Sequence, residues 1–177
     1  MPSNKDRLYV ALYVRGGKAT MPNKEDTYHW GLIVGPKVET DNKTGVRYHA
    51  KERIKIGGSE WQFEESPCPL SADSMLLVRI MVGKVANVPH LIETLRGTPI
   101  RGGQSGWNCI SWVKEALKGL AEEKTLGTCV LDWTKVRDES MAYCQRKKDE
   151  HRFDGLGKFD MKKPATYDLL TEKDIIC

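Results

Sequence analysis

YHWGLIVGPKVETDNKTGVRYHA, residues 28–50, reads as two strands around a turn. In 28-YHWGLIVG-35 the side chains alternate with the period of a strand, placing His29, Gly31 and Ile33 on one face and Tyr28, Trp30, Leu32 and Val34 on the other. The polar stretch 36-PKVETDNKTG-45 supplies the turn, and 46-VRYHA-50 returns with Arg47 and His49 on a shared face. An antiparallel hairpin is therefore predicted. Each histidine lies a few residues outside the same turn, so pairing brings both to the open end of the hairpin, where cross-strand β-carbons are roughly 4.5 to 5.5 Å apart. The register is left open by the sequence, and a slip of one residue would reverse a side chain's face.

Outward from the hairpin, 8-LYVALYV-14 is apolar on both faces and rich in Tyr and Val, the pattern of a central or covered strand that ends at Gly16-Gly17. The polar 18–27, with Pro22, is expected to be a loop. On the other side, 52-ERIKI-56 and 60-EWQFEE-65 predict a further strand or two, 66–74 a turn, and 75-MLLVRIMV-82 a clear strand. A short helix is expected over 88-VPHLIETLR-96, with Pro89 acceptable in its first turn. The glycine-rich 97-GTPIRGGQSG-106 then approaches 107-WNCISWVKEALKGL-120, in which Ile110, Val113, Ala116, Leu117 and Leu120 form a helical band with Cys109 near its edge. Another helix is predicted over 132–148, with Asp132 as N-cap and Trp133, Val136, Met141 and Cys144 as its apolar stripe. The segment 149–170 is expected to be mostly irregular, its aromatics pinning it across the body. The chain thus reads as one domain, 1–177, with 149–177 as a C-terminal extension packed on it. Internal repeats and low-complexity tracts are absent.

A chain of 177 residues is long enough for a single domain with a hydrophobic core. Its 28 basic and 24 acidic residues are well mixed, and the net charge of +4 speaks for solubility more than for a nucleic-acid partner. Neither a zinc finger, an aromatic RNA-binding strand motif nor a helix-turn-helix pattern is present. Five cysteines, an odd number without C-x-x-C spacing, fit a reducing compartment and argue against a disulfide framework or structural zinc. The polar opening MPSNKDR has no secretory apolar core, no stretch reaches 18 apolar residues, and Cys177 cannot head a prenylation box. A cytoplasmic protein without an integral membrane segment is expected; surface association and oligomeric state are left open.

Cys109 is the centre of the chemical reading. At a helix start, unpaired N–H groups and a partial positive charge favour a thiolate. A thiol with the ordinary pKa of about 8.5 is only slightly ionised near neutral pH, so an imidazole partner is useful. His29 is the preferred base and His49 the second candidate. The competing reading makes Cys109 a buried small hydrophobe. Cys68, Cys129, Cys144 and Cys177 lack the same context, Cys144 reading as packing and Cys177 as an exposed tail. His90 and His151 read as surface or packing residues. Asn108 is explained as a helix cap. The Cys109 N–H and the Gln104 side chain are candidate oxyanion donors. Trp107, Trp30 and Trp61 are candidate walls of a substrate groove, although aromatics also fill cores well. A metal held by Cys109 and both histidines is disfavoured because no compact set of four ligands is visible, and no cofactor is expected.

At these residues the chain resembles the permuted branch of the papain-like NlpC/P60 superfamily, in particular the lecithin:retinol acyltransferase group. HWGLIVG at 29–35 is similar to that group's H-W-A-ψ-ψ-ψ-G block, where ψ is apolar; YHA at 48–50 is similar to its second-histidine block; NCISWV at 108–113 is similar to its N-C-E-H-F-V block. The resemblance implies that Cys109 attacks, His29 activates it and His49 orients His29. Ile110-Ser111 stand where the group has Glu-His, and the apolar C-terminal segment of many animal members is missing. The whole chain also resembles a group of uncharacterised fungal proteins sharing RLYVALYVRGG, WNCISWV and PATYDLL. The expectation is an α+β papain-like domain, its antiparallel sheet packed against the Cys109 helix. It would act as a cysteine-dependent hydrolase, or as an acyltransferase or cyclase, on a small-molecule or peptide amide, ester or thioester through a thioacyl intermediate. The alternative is a catalytically inactive binding or scaffold protein with the same fold.

Overall fold

The centre of the molecule is the strand that the sequence makes apolar on both faces. In the computed structural model, which describes residues 4–40, 42–73 and 75–177, β1 (Arg7–Val14) buries all of its interior positions and pairs antiparallel with β2 (Tyr28–Gly35) on one edge and β5 (Leu76–Val85) on the other. Residues 1–3, 41 and 74, which fall in the expected polar opening and the expected turns 36–45 and 66–74, lie outside the described residues.

β2 continues into β3 (Thr44–Lys55), and β3 into β4 (Gly58–Pro69). The stretches 46–50 and 52–56, expected to be separate, are largely one strand of 12 residues. It pairs along its full length with β4 around the two-residue turn Ile56-Gly57. Gly57 sits at φ 86°, a conformation that costs glycine little and other residues much. By contrast the β2–β3 ladder holds only Leu32–Val34 against Val46–Tyr48. The Tyr28–Gly31 half of β2 therefore has an edge that β3 does not pair.

Three short strands complete the sheet: β6 (Leu126–Cys129), β7 (Ala165–Asp168) and β8 (Lys173–Ile176). The order is β4-β3-β2-β1-β5-β7-β8, with β6 also on β5, and every pairing is antiparallel except β5 with β7. The segment after residue 149 is thus not only laid over the body, as expected, but enters the sheet. Lys147, 1% exposed, pins it: its Nζ lies 2.6 Å from Asp174 and 2.8 Å from Glu150, and Tyr143 Oη donates to Asp174.

Helices α1 (Val88–Gly97), α2 (Cys109–Glu122) and α3 (Trp133–Asp149) supply the other side of the core. They bury Leu91, Leu95, Ile110, Trp112, Val113, Leu117, Leu120 and Val136 in one cluster with Leu8, Val10, Leu12, Trp30, Leu32, Tyr48, Val78 and Ile80 of the sheet. Each such large apolar side chain contributes about 1.5–3 kcal/mol of transfer free energy. The opposite sheet face carries a smaller cluster of Tyr9, Ala11, Tyr13, Ile33, Cys68 and Met81. It also carries the buried Arg79, which donates to both Glu39 carboxylate oxygens and to Thr166 and lies over the Tyr9 ring. The architecture is α+β, one large, mostly antiparallel sheet with three helices among the described residues.

Candidate functional site

Alternation along β2 decides where the histidines go. Tyr28, Trp30, Leu32 and Val34 enter the helix-covered core, while His29, Gly31 and Ile33 face the other way. His29 sits across from Tyr13 in the β1–β2 register, and their ring centroids are 5.8 Å apart. His49 reaches the same place from β3. A β-carbon on Gly31 would stand 3.2 Å from the His49 β-carbon and 3.4 Å from the Tyr48 carbonyl oxygen, so the absent side chain leaves the room that His49 occupies.

The two imidazoles meet with His29 Nε2 2.7 Å from His49 Nδ1, and His49 Nε2 is 2.9 Å from Glu64 Oε1. Glu64 was not among the residues singled out from sequence. It faces His49 in the β3–β4 register, and counting outward from the Ile56-Gly57 turn reaches it. Its carboxyl is held down at about 2, first by the hydrogen bond to His49 and further by Lys51. An ionised carboxylate only accepts, so His49 donates through Nε2, and its neutral ring then accepts at Nδ1 from His29 Nε2–H. That chain leaves a lone pair on His29 Nδ1, which has no hydrogen-bond partner among the described residues. Burial, with the positive potential of His49, Arg47 and Arg15, pushes His29 down to about 3; burial also lowers His49. Both rings are neutral near pH 7.

Cys109 is the first residue of α2, and the local sequence explains why. Asn108 caps the helix by accepting from the N–H groups of Ile110 and Ser111, while Ser111 Oγ accepts from the Asn108 N–H. This reciprocal box makes Ser111 a structural residue of the motif. The sulfur is 1% exposed and lies within the helix-side core. Burial raises its pKa above the ordinary thiol value. The N–H groups of Trp30, Ile110 and Cys109 itself, together with Arg15, pull the other way without prevailing. The expected preference for a thiolate at a helix start is thus reversed by desolvation, and the resting group is a thiol.

Cys109 packs in the same cluster as Trp30 and Leu32 of β2. It therefore lies on the helix-covered side of β2, opposite the face that carries His29. The imidazole occupies the opposite side of the strand with Tyr13, and among the described residues no hydrogen bond joins Cys109 to either histidine.

The other sequence candidates separate. Trp30 is not a groove wall: it is fully buried, donates its indole N–H to the Glu25 carbonyl and packs against Trp133 at 5.7 Å. Trp61 and Trp107 do meet, edge to face at 5.7 Å. Gln104 and Trp107 line an open cleft of about 1210 Å³ that runs along the outer side of α2, past Ile110 and Ser111 and on to Trp133. Cys109, His29 and His49 are not among the residues lining it. His90 and His151 bind carboxylates at the surface, Glu123 and Asp154 respectively. All five cysteines are free, with Cys129 and Cys177 exposed. Among the described residues no group of three or more His, Cys, Asp or Glu side chains is arranged to hold a metal. Among the described residues, no helix is long and apolar enough to cross a membrane.

A family model described as "Family of unknown function (DUF6914)" matches residues 5–176. The chain belongs to this family. No curated protein and no solved structure matches it. For DUF6914 the candidate chemistry is therefore carried by the geometry around Cys109, His29, His49 and Glu64.

Proposed function

We propose that this chain is a cysteine-dependent acyl-transfer enzyme of papain-like architecture, a hydrolase or an acyltransferase or cyclase, working in a reducing, cytoplasmic setting on a small-molecule or peptide acyl substrate. The observation that carries the reading is the line Glu64–His49–His29, which ends in an Nδ1 lone pair without a hydrogen-bond partner among the described residues, on the strand whose other face packs in one cluster with Cys109. In a structural ion pair the second imidazole would be superfluous. In catalysis it fixes the tautomer of the first.

In the proposed cycle His29 Nδ1 takes the thiol proton, and Cys109 Sγ forms a bond to the carbonyl carbon of an amide, ester or thioester. The tetrahedral oxyanion collapses and breaks the bond to the leaving nitrogen, oxygen or sulfur. That atom receives the proton back from His29, and a thioacyl intermediate remains. Water, an amine or an alcohol then loses its proton to His29 as it displaces the sulfur, and His29 returns that proton to Cys109 Sγ, restoring the thiol. The Cys109 N–H is one candidate donor to the oxyanion. Because resting Cys109 and His29 are both neutral, proton transfer accompanies attack instead of preceding it.

The burial of Cys109 favours a second reading, a binding or scaffold protein that retains the fold without turnover. Intact-mass measurement after exposure to p-nitrophenyl esters of graded acyl length separates the two. The enzyme reading expects one acyl group per chain, its absence in Cys109→Ala, and acylation slowed by about 100-fold or more in His29→Ala. Equal acylation of Cys109→Ala, or labelling of the native protein only at Cys129 and Cys177, overturns it.

A further inference from the structure

We propose that the cleft beside α2 binds an organic cation, an ammonium or guanidinium group on an apolar chain, with Glu25 as its counter-ion. Glu25 lies in the single 3-10 turn Glu25–Thr27, lines the cleft and is 2% exposed, yet its Oε1 has no hydrogen-bond partner among the described residues. A carboxylate so placed without a donor is costly, and the structure must have a reason to keep it.

Packing alone does not supply that reason. The neighbouring Asp26 is fully used, accepting from the Thr20 N–H, the Thr20 hydroxyl and the Met21 N–H. Trp30 Nε1 fixes the Glu25 carbonyl. The turn is thus held from both sides while the Glu25 carboxylate is left over. Arg137 attracts Glu25 electrostatically from a distance, but none of the chain's cations around the cleft forms an ion pair with it among the described residues. Arg101 binds both oxygens of Glu115, Lys118 pairs with Glu122, Arg137 pairs with Asp138 at 2.8 Å, and no ion pair joins Glu25 to Arg137 or Lys114 among the described residues.

The surroundings select the missing partner. Trp107 and Trp133 offer aromatic surface, which attracts cations, and Trp133 packs on the same Trp30 that holds the Glu25 backbone. Met21, Ile110 and Leu131 add apolar lining suited to an alkyl stem. A metal ion is a poor fit, because Glu25 belongs to no group of three or more His, Cys, Asp or Glu side chains that could hold one among the described residues. This assignment does not depend on thiol chemistry.

The test uses the whole chain, with n-butylammonium and n-butylguanidinium chloride as probes and n-butanol as the neutral comparison, all at matched ionic strength. Two-dimensional amide and indole N–H spectra provide the readout. The expected result is saturable shifts at Trp107 and Trp133 for at least one cation, with affinity about tenfold or more above that for butanol. Glu25→Gln should lose about tenfold or more, and Cys109→Ala should bind like the native chain. Absence of saturable binding by the native protein, equal affinity for butanol, or unchanged affinity in Glu25→Gln overturns the proposal. Cation binding seen only in Arg137→Gln also overturns it, because Arg137 is then the partner of Glu25. The comparison with butanol needs only the native chain, so it decides the matter even if Glu25→Gln does not fold.

Discussion

The two faces of β2 put adjacent residues to opposite uses. On the helix side Trp30 and Leu32 are sealed from water and make apolar contacts. On the other side His29 and the space above Gly31 accommodate a polar relay that runs through His49 to a partly exposed Glu64. Cys109 belongs by packing to the first face, and the proposed chemistry would have to join it to the second. A strand shared between packing and polar chemistry lets a rigid core position a site without the site itself being apolar.

The contrast is most severely tested by removing its packing side. Trp30→Ala should cost about 3–5 kcal/mol, measured by urea denaturation, because it empties a fully buried volume and frees the Glu25 carbonyl. A loss below about 1 kcal/mol would mean that the helix-side core does not rest on this ring.

The polar side should announce itself through pH. His29 is lowered from 6.5 to about 3, so between those values the unfolded chain binds more protons than the folded one. The stability from keeping His29 neutral is therefore complete above pH 6.5 and is lost as pH falls toward 3. Glu64, lowered from 4.5 to about 2, acts in the same direction over its own window, its contribution being present above 4.5 and lost toward 2. Denaturation midpoints taken from pH 7 to pH 4 should fall steadily in the native chain and less steeply in His29→Gln. Equal slopes would show that His29 is as readily protonated when folded as when unfolded.

The smallest effect concerns the junction between the faces. Asn108→Ala removes the cap that starts α2 at Cys109 and should cost about 1 kcal/mol in the same denaturation experiment. It should also speed native-state alkylation of Cys109 relative to Cys144, which is buried elsewhere in the same core. Parallel changes at both cysteines would indicate general loosening instead of release of the helix start.

Local pattern made much of this legible. β2 has the limits of the run 28–35, the predicted helices differ from α1, α2 and α3 by a residue or two at most ends, and Asn108 and Asp132 cap as their side chains suggest. Alternation put His29 and Gly31 on one face and Trp30 on the other, yet Trp30 stands as a candidate groove wall in the sequence until its complete burial in the helix-side core removes it. What escaped depends on distant partners. LGTC, ATYD and KDII are too short to carry a period, and become β6, β7 and β8 because the free edge of β5 and then β7 receive them. Glu64 reads as one more charge on an alternating strand until the register sets it against His49. Glu25 is polar in a polar segment, and its burial, beside the Trp30 indole that donates to its carbonyl, has no local signal. The reversal of the Cys109 pKa has the same origin, since a helix start can be recognised locally but the depth at which it is buried cannot.

The parallel partner of β5 also bears on assembly. β7 lies almost ninety residues after the strand it joins, with all three helices between them. Contacts so far apart along the polypeptide carry a large loop-closure entropy, and they form late when nearer pairings can form first. During synthesis the apolar edge at Val78–Met81 would stand open until Ala165–Asp168 had emerged. In that interval it is the part of the nascent chain most exposed to pairing with a neighbouring copy, and the most natural point for a chaperone to guard.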